Sequence, residues 1–216
     1  AKRILKEIGF ENVYIVKEQE APDGEFPTVS YPNPEDPEAF KLALNLAKEV
    51  NADIILANDP DADRFGLFVK DTKTGEYIRF NGNMSGNLIC EYILSQKKAK
   101  NELPSNGAVI KTIVSSNLTD SIAKEYNIKL FSTLTGFNNI AKIIRDCEEK
   151  NTYKCLFSYE ESFGCIIGTH ARDKDGIVAV MTVCEATAFY KMRGLSLWDQ
   201  MQEIYKKYGY FKENQI

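Results

Sequence analysis

The chain has 216 residues and a formal net charge of -4, and this length suits one large or two small globular domains. The slight acidic excess argues against a nucleic-acid partner, and the short basic run KKAK at 97–100 is typical of a solvated helix end. No apolar stretch reaches the length of a membrane span and no signal sequence opens the chain, so we expect no membrane partner.

The hydrophobic pattern predicts alternating strands and helices, which is an α/β fold with mixed sheets. The first predicted helix has Asp36 as its N-cap and Pro37 at its first position, with an apolar face from Phe40 to Ala47. In chain order the other predicted elements are a strand at 53–57, a hairpin through 65–70 and the turn at 71–77, a helix at 85–96, a strand at 108–113, a helix at 118–126, a strand at 128–132, a helix at 137–150, a strand at 155–160, a helix at 176–193 capped by Gly194, and a last helix that begins with a capping box of Ser196 and Asp199.

Five cysteines are widely spaced along the chain, most of them inside apolar runs. They are Cys90, Cys147, Cys155, Cys165 and Cys184. An odd number of widely spaced cysteines in apolar runs is typical of reduced core thiols, with oxidised bridges as the less favoured alternative. We therefore expect a cytoplasmic protein.

Three carboxylates stand at alternate positions in the loop NDPDADR (58–64), directly after a predicted strand. In an extended backbone such residues point to one side, so Asp59, Asp61 and Asp63 can converge on one point. Two carboxylates about 4 Å apart repel by roughly 4 kcal/mol at an effective dielectric near 20, and Arg64 offsets only part of this repulsion. Oxygen ligands with open coordination places favour Mg²⁺ shared with a substrate phosphate. The loop therefore predicts a magnesium site, with a solvated acidic turn as the alternative.

Two other interpretations of this loop are weaker. A calcium-binding EF-hand loop needs glycine at its sixth place and glutamate at its twelfth, where this chain has Arg64 and Lys70. An aspartyl-phosphate phosphatase uses the first aspartate of a D-x-D pair as a nucleophile, which would be Asp59. That chemistry also wants a second acidic pair at a strand end, and Asp173 with Asp175 follows no apolar strand.

The loop resembles the metal-binding loop of the phosphohexomutases, the family of phosphoglucomutase and phosphomannomutase. Other segments are similar to this family in the same order, and together they cover nearly the whole chain. They are PDGEFPTVSYPNPEDPEAF (22–40), NDPDADRFG (58–66), VIKTIVSS (109–116), TLTGF (133–137) and FSYEESFG with the following ARDKDG (157–176).

The resemblance implies two phosphohexomutase-type α/β domains with mixed sheets, the first incomplete. Residues 1–76 would be the later part of a metal-binding domain, and residues 77–216 a sugar-binding domain with the start of a linker. Family members also carry a T-A-S-H-N-P-like phosphoserine loop and an R-x-S-G-T-E-P-like phosphate loop, and neither string occurs here. We therefore interpret the chain as a fragment whose partners include missing domains of the same polypeptide.

The resemblance also assigns a sugar site to the loop EESFG. Glu160 and Ser162 are alternate residues that can face one cleft and bind vicinal hydroxyls, with a solvated loop as the alternative. Gly164 is expected to let the backbone turn away. Lys111 lies inside the predicted strand AVIKTI, where it either extends from a strand edge or serves as substrate contact and general acid/base. The resemblance favours the second role for Lys111.

Residues of the remaining segments are weaker candidates. Gly136 is expected to permit close approach of a substrate, with the threonines beside it as alternative helix caps. Some phosphomannomutase-type members carry histidine where Phe137 stands, so an imidazole role is not expected there. We expect Arg172 and Lys174 to bind phosphate, and His170, the single histidine, to be a structural or rim residue and not a catalytic one.

The resemblance implies a mutase that moves a phosphoryl group between hexose 1-phosphate and hexose 6-phosphate through a phosphoserine and a hexose bisphosphate. The three aspartates would hold Mg²⁺, Arg64 would bind phosphate or brace the loop, and Lys111 would move the hydroxyl proton. The alternatives within the family are phosphomannomutase, phosphopentomutase and glucose-1,6-bisphosphate synthase. A non-catalytic module that binds sugar phosphate or metal is the alternative outside enzymes.

Overall fold

The computed structural model describes residues 1–212, so the last four residues of the predicted second domain lie outside the described part. The helices are α1 (Lys2–Glu7), α2 (Lys41–Val50), α3 (Gly82–Ala99), α4 (Leu118–Glu125), α5 (Phe137–Glu149), α6 (Gly176–Lys191) and α7 (Leu197–Tyr208). The strands are β1 (Ile54–Asn58), β2 (Phe65–Lys70), β3 (Tyr77–Phe80), β4 (Gly107–Thr112), β5 (Lys129–Thr133), β6 (Lys154–Tyr159) and β7 (Cys165–Ile167).

The strands form two sheets, and the predicted α/β fold is confirmed. The first sheet is antiparallel in the order β1-β2-β3, because short hairpin connections join its strands. The second sheet is mixed in the order β5-β4-β6-β7, with β4 parallel to both β5 and β6. In the first hairpin Asn58 pairs with Phe65, so residues 59–64 are the connection between β1 and β2.

One continuous hydrophobic core joins the two sheets. Phe65 and Phe80 of the first sheet belong to the same buried cluster as Val109 and Phe157 of the second, with side chains of α3, α6 and α7 between them. The proposed division between residues 76 and 77 falls in the hairpin that leads to β3, and it stays a prediction. Loops at the ends of both sheets are consequently carried by a shared, packed interior.

Helix ends agree in part with the sequence. Asp36 caps a short 3₁₀ turn that precedes α2, and the capping box of Ser196 and Asp199 at α7 is confirmed. The predicted cap at Gly194 is confirmed: just beyond α6, Gly194 has a φ of 75°, its N–H donates to Lys191 O at 3.0 Å and the Leu195 N–H donates to Tyr190 O at 3.0 Å. The threonine caps of α5 are wrong, because its N-cap is Gly136 and no side chain caps it.

All five cysteines are free and buried, as predicted for core thiols. Burial raises the pKa of Cys155 to about 11 and that of Cys165 to about 12. Among the helices of residues 1–212, none combines the length and the apolar character that a membrane crossing needs.

Candidate metal and sugar-phosphate site

The three aspartates of the β1–β2 connection converge, as the sequence predicts. Asp59, Asp61 and Asp63 each offer a carboxylate oxygen, and these oxygens lie within 4.8 Å of one another. They meet through a turn and not by alternation along an extended strand. The Ala62 N–H donates to Asp59 O at 3.0 Å, and Ala62 has a φ of 58°. We refer to residues 58–64 as the metal loop.

Positive charge surrounds this triad without neutralising it. Arg64 Nε lies 3.6 Å from Asp59 Oδ2 and 3.7 Å from Asp63 Oδ1. Lys174 Nζ lies 2.9 Å from Asp63 Oδ2. Three carboxylates facing two cations leave a net negative charge, and Asp61 is the exposed member of the triad. A divalent cation would therefore be attracted to this loop.

The environment raises the pKa of two of these groups, which favours the neutral form of Asp59 and the charged form of Lys174. Burial raises the pKa of Asp59, the N–H of Arg64 lowers it, and the neighbouring carboxylate of Asp63 raises it again, with a net increase. Burial lowers the pKa of Lys174, but its bonds to Asp63 and Asp173 outweigh burial and raise it. Lys174 is thus held as an ammonium against the triad, which makes it a neighbour of the metal loop as well as a candidate phosphate ligand.

Arg64 acts as a brace of the metal loop in this structure. Its backbone N–H donates to Asp59 Oδ1 at 3.0 Å, and its Nη1 atom donates to Glu35 Oε1 at 3.2 Å. Its carbonyl accepts from Asn58 Nδ2 at 2.8 Å. Sequence reasoning missed Glu35, because its only local signal was its place just before a helix start. Phosphate binding by Arg64 stays a prediction.

Glu160 and Ser162 lie in a tight loop that we call the sugar loop, residues 160–164. It is closed by a hydrogen bond from the Glu160 N–H to Gly164 O at 2.9 Å. The chain turns at Phe163, which has a φ of 68°, and not at Gly164 as predicted. Gly164 instead leaves room for Lys174, because an added Cβ would lie 2.1 Å from Lys174 Cδ and would force that side chain to move.

The structure brings two predicted sugar-site residues together. The Gly136 N–H donates to Glu160 Oε1 at 2.8 Å, and Gly136 has a φ of 99° that favours glycine. Glu160 is 8% exposed, and Ser162 beside it is half-buried. The neighbouring Glu161, which sequence reasoning did not assign, accepts from Thr112 Oγ1 at 2.9 Å. This bond ties the sugar loop to the end of β4.

The metal loop and the sugar loop touch each other directly. Arg64 and Gly164 form an antiparallel β-bridge, and the Phe65 N–H donates to Phe163 O at 3.3 Å. These pairs are about a hundred positions apart in sequence. The loop that carries the three aspartates and the loop that carries Glu160 and Ser162 therefore share one backbone connection.

Lys111 is buried, and its side chain contacts residues 115–120. It is 2% exposed on β4, which lies between β5 and β6, so a strand-edge position is wrong. Its Nζ donates to Ser116 O at 2.9 Å and to Asn117 Oδ1 at 3.1 Å, and it pairs with Asp120 Oδ2 at 2.5 Å. The ammonium is thus held by residues 115–120, and a role in proton transfer would require it to leave Asp120.

Arg172 and His170 are not part of the contacts between the two loops. Arg172 pairs with Glu148 near the end of α5, which is about 16 Å along the helix axis from its first residue. His170 Nε2 lies 2.9 Å from Oδ2 of Asp175, the N-cap of α6. The structural role predicted for the histidine agrees with this contact, and phosphate binding by Arg172 stays a prediction.

A cavity of about 470 Å³ borders the metal loop on another side. Its walls come from the segment between Glu18 and Pro34 and from Asn58, Asp59 and Pro60. The volume falls within the range of small-molecule sites, which is about 300–1,000 Å³. The sugar loop does not contribute to its walls.

Family models match nearly the whole chain. The domain descriptions "Phosphoglucomutase/phosphomannomutase, alpha/beta/alpha domain II" and "domain III" match residues 1–75 and residues 81–208, respectively. The chain therefore belongs to the phosphoglucomutase/phosphomannomutase family, whose domains II and III it contains.

Individual relatives support the same conclusion. The chain is 35% identical over 210 residues to a phosphoglucomutase of Staphylococcus haemolyticus, covering 97% of this chain and 37% of the relative. It is 36% identical to a protein named "Probable phosphomannomutase" in Haemophilus influenzae, covering 99% of this chain and 41% of the relative. A solved phosphomannomutase-type structure from Thermus thermophilus has the same fold, with a TM-score of 0.71 at 24% identity over 96% of this chain and 42% of that one. The chain thus spans less than half the length of these relatives.

Proposed function

We propose that the chain is the metal-binding and sugar-binding part of a magnesium-dependent phosphohexomutase, which interconverts hexose 1-phosphates and hexose 6-phosphates. The observation that carries this proposal is the β-bridge between Arg64 and Gly164, which holds the metal loop against the sugar loop. Transfer of a phosphoryl group to a sugar hydroxyl depends on positioning and on charge stabilisation, so a cation and a sugar must be bound side by side.

The donor set of the metal loop fits Mg²⁺. Asp59, Asp61 and Asp63 present only carboxylate oxygens, which are the ligands that Mg²⁺ prefers. Arg64 and Lys174 already place positive charge against them, as expected of a group of carboxylates that needs compensation. Bound Mg²⁺ would supply stabilisation for the negative charge on a transferring phosphoryl group.

Recognition of the sugar is assigned to the sugar loop and to Gly136, the N-cap of α5. The Gly136 N–H holds Glu160 Oε1, which orients the carboxylate so that it can accept hydrogen bonds from vicinal hydroxyls. Ser162 supplies a hydroxyl that can both donate and accept. Lys174, beside the metal loop, is placed to bind a phosphate that approaches the cation. Arg172 could join it only after leaving Glu148.

In this proposal a phosphoserine elsewhere in the longer polypeptide donates its phosphoryl group to a sugar monophosphate. The hexose bisphosphate then reorients and returns its other phosphoryl group to the serine. Arg64 keeps the metal loop in shape. After its ion pair with Asp120 opens and it loses one proton, Lys111 takes the proton of the attacking sugar hydroxyl as a neutral amine and returns it in the reverse transfer. The buried free cysteines support a cytoplasmic location.

The family match leaves the sugar open, so phosphomannomutase, phosphopentomutase and glucose-1,6-bisphosphate synthase remain alternatives. The interpretation as an aspartyl-phosphate phosphatase gains no support. The acidic pair that such a phosphatase would require makes other contacts, since Asp175 caps α6 and Asp173 pairs with Lys174.

Calorimetry of the 216-residue chain in Mg²⁺ tests the binding part of the proposal. Glucose 1-phosphate and mannose 1-phosphate should bind more tightly than inorganic phosphate, because only the sugars reach Glu160 and Ser162. Equal affinity for all three would contradict a sugar site. The same chain should not convert glucose 1-phosphate to glucose 6-phosphate, and measurable turnover would show that the missing phosphate loops are not required.

A further inference from the structure

The turn before α6 is bonded to both functional loops. The Gly176 N–H donates to Ala62 O in the metal loop at 3.1 Å. The preceding Asp175 N–H donates to Cys165 O at 2.8 Å, directly after the sugar loop. Two consecutive peptide groups at the start of α6 therefore connect the two loops, in addition to the direct bridge between Arg64 and Gly164.

Gly176 fits this place because it has no side chain. An added Cβ would lie 2.6 Å from Arg64 O, 2.7 Å from Ala62 O and 2.8 Å from Asn58 Nδ2. Two of these atoms belong to the backbone, so they cannot yield by a rotamer change. The start of α6 thus lies in close contact with the metal loop, and any movement of that loop is passed to it.

Strained backbone marks both ends of this connection. Ala62 has a φ of 58° and Phe163 a φ of 68°, a left-handed conformation that residues with a side chain rarely adopt. The carbonyl of Ala62 accepts from Gly176, and the carbonyl of Phe163 accepts from Phe65. Such conformations persist where the surroundings fix them, so the hydrogen bonds between the loops hold both turns in shape.

We propose that Gly176 is a positioning residue that couples the two loops, so that a divalent cation on Asp59, Asp61 and Asp63 also orders the sugar loop. This inference rests on the proposed function and gives a role to Gly176, the last residue of the ARDKDG segment. A cation that draws the three carboxylates together fixes the turn at Ala62, and the bonds to Gly176 and Gly164 carry this restraint to residues 160–164.

Hydrogen–deuterium exchange with Mg²⁺ alone tests the coupling. In the wild-type chain, Mg²⁺ should slow amide exchange in peptides covering 58–65 and also, by about fivefold, in peptides covering 160–165. In Gly176→Ala the slowing should remain in part at 58–65 and fall at 160–165 to the share that the direct bridge between Arg64 and Gly164 transmits, and undiminished slowing at 160–165 would overturn the role of Gly176. Gly24→Ala is the matched control, because its added methyl group would meet nothing within 4 Å. It should behave as wild type.

A second measurement on the wild-type chain keeps the proposal testable if Gly176→Ala does not fold. Because the Gly176 N–H donates to Ala62 O, Mg²⁺ should also slow exchange in the peptide covering 175–178, and unchanged exchange there would overturn the role of Gly176. Slowing at 58–65 without any slowing at 160–165 in the wild-type chain would overturn the coupling and leave the metal site intact. Absence of Mg²⁺ binding in the wild-type chain would overturn both the coupling and the proposed metal site.

Discussion

Lys174 Nζ lies 2.9 Å from Asp63 Oδ2, so an ammonium from the segment before α6 rests against the carboxylate triad of the β1–β2 connection. The same Nζ lies 5.4 Å from the centre of the Phe137 ring at the start of α5. One side chain thus contacts the metal loop and the helix that follows Gly136. This relationship gives Lys174 a measurable influence on cation binding.

Replacement of Lys174 by glutamine should tighten Mg²⁺ binding by about fivefold at low salt. The variant removes a positive charge that repels the bound cation. Screened by water, this repulsion is roughly 1 kcal/mol. Affinity for glucose 1-phosphate should change in the opposite direction if Lys174 binds phosphate. Calorimetry with both ligands separates the two effects.

Lys191→Gln serves as the control for this charge change. Lys191 is exposed and pairs with Asp53, at the end of β1 that lies away from the metal loop. Its removal should leave Mg²⁺ affinity unchanged. Weaker Mg²⁺ binding by Lys174→Gln would mean that the ammonium organises Asp63 more than it repels the cation.

Glu160→Ala should weaken the binding of glucose 1-phosphate by about ten- to a hundredfold. The variant removes hydrogen bonds to a charged acceptor, worth roughly 1.5 to 3 kcal/mol. Glu160→Gln keeps an acceptor for the Gly136 N–H and should lose less. The exposed Glu149→Gln is the control for charge. An effect of Glu160→Ala below about twofold, typical of a surface substitution, would place the sugar site elsewhere.

Sequence patterns predicted most of the fold because the relevant forces are local. Alternation and apolar runs located every described strand except the three-residue β7, and the D-x-D-x-D spacing located three carboxylates that do converge. The predicted backbone conformation was wrong, because the chain turns at Ala62 and is not extended through the three aspartates. Spacing alone therefore identified which groups meet without describing how the chain brings them together.

Contacts between distant segments could not be read from the sequence. Arg64 meets Glu35 and Gly164, which are separated from it by loops and whole elements. Lys111 was placed near substrate by resemblance, whereas its ammonium is bound by residues 115–120. No local propensity encodes such pairings, since they depend on how the two sheets pack on a common core.

The N-cap of α6 should make stability depend on acid pH. Burial raises the pKa of Asp175, but its bonds to His170 and to the N–H groups of Ile177 and Val178 outweigh burial and lower it. A lowered folded-state pKa stabilises the protein above the unfolded value near 3.8, and this contribution is lost as pH falls through the folded value.

Urea unfolding of Asp175→Asn at two pH values tests this dependence. At pH 6 the variant should be less stable by roughly 0.5 to 1 kcal/mol, because asparagine keeps the cap but loses the charge at the helix start. Near pH 3 the difference between the variant and wild type should shrink. A constant difference across this range would mean that the carboxylate charge of Asp175 does not stabilise the fold.

The five cysteines should be inert in the folded protein. Burial raises the pKa of Cys155, Cys165 and Cys184 to about 11 or about 12, so little thiolate exists at neutral pH. A colorimetric thiol reagent should react slowly with the native chain and rapidly with all five thiols after unfolding. Fast reaction of the native chain would indicate an exposed thiol.

Calorimetric titration of Mg²⁺ into the wild-type chain, Asp61→Asn and Asp53→Asn tests the central claim most directly. Asp61 is the exposed member of the triad, and Asp53 is an exposed aspartate at the other end of β1. Both variants remove one negative charge from a similar surface position. We predict that Mg²⁺ binds the wild-type chain and Asp53→Asn equally and binds Asp61→Asn at least about tenfold more weakly. Equal affinity in all three proteins would contradict a metal site on Asp59, Asp61 and Asp63.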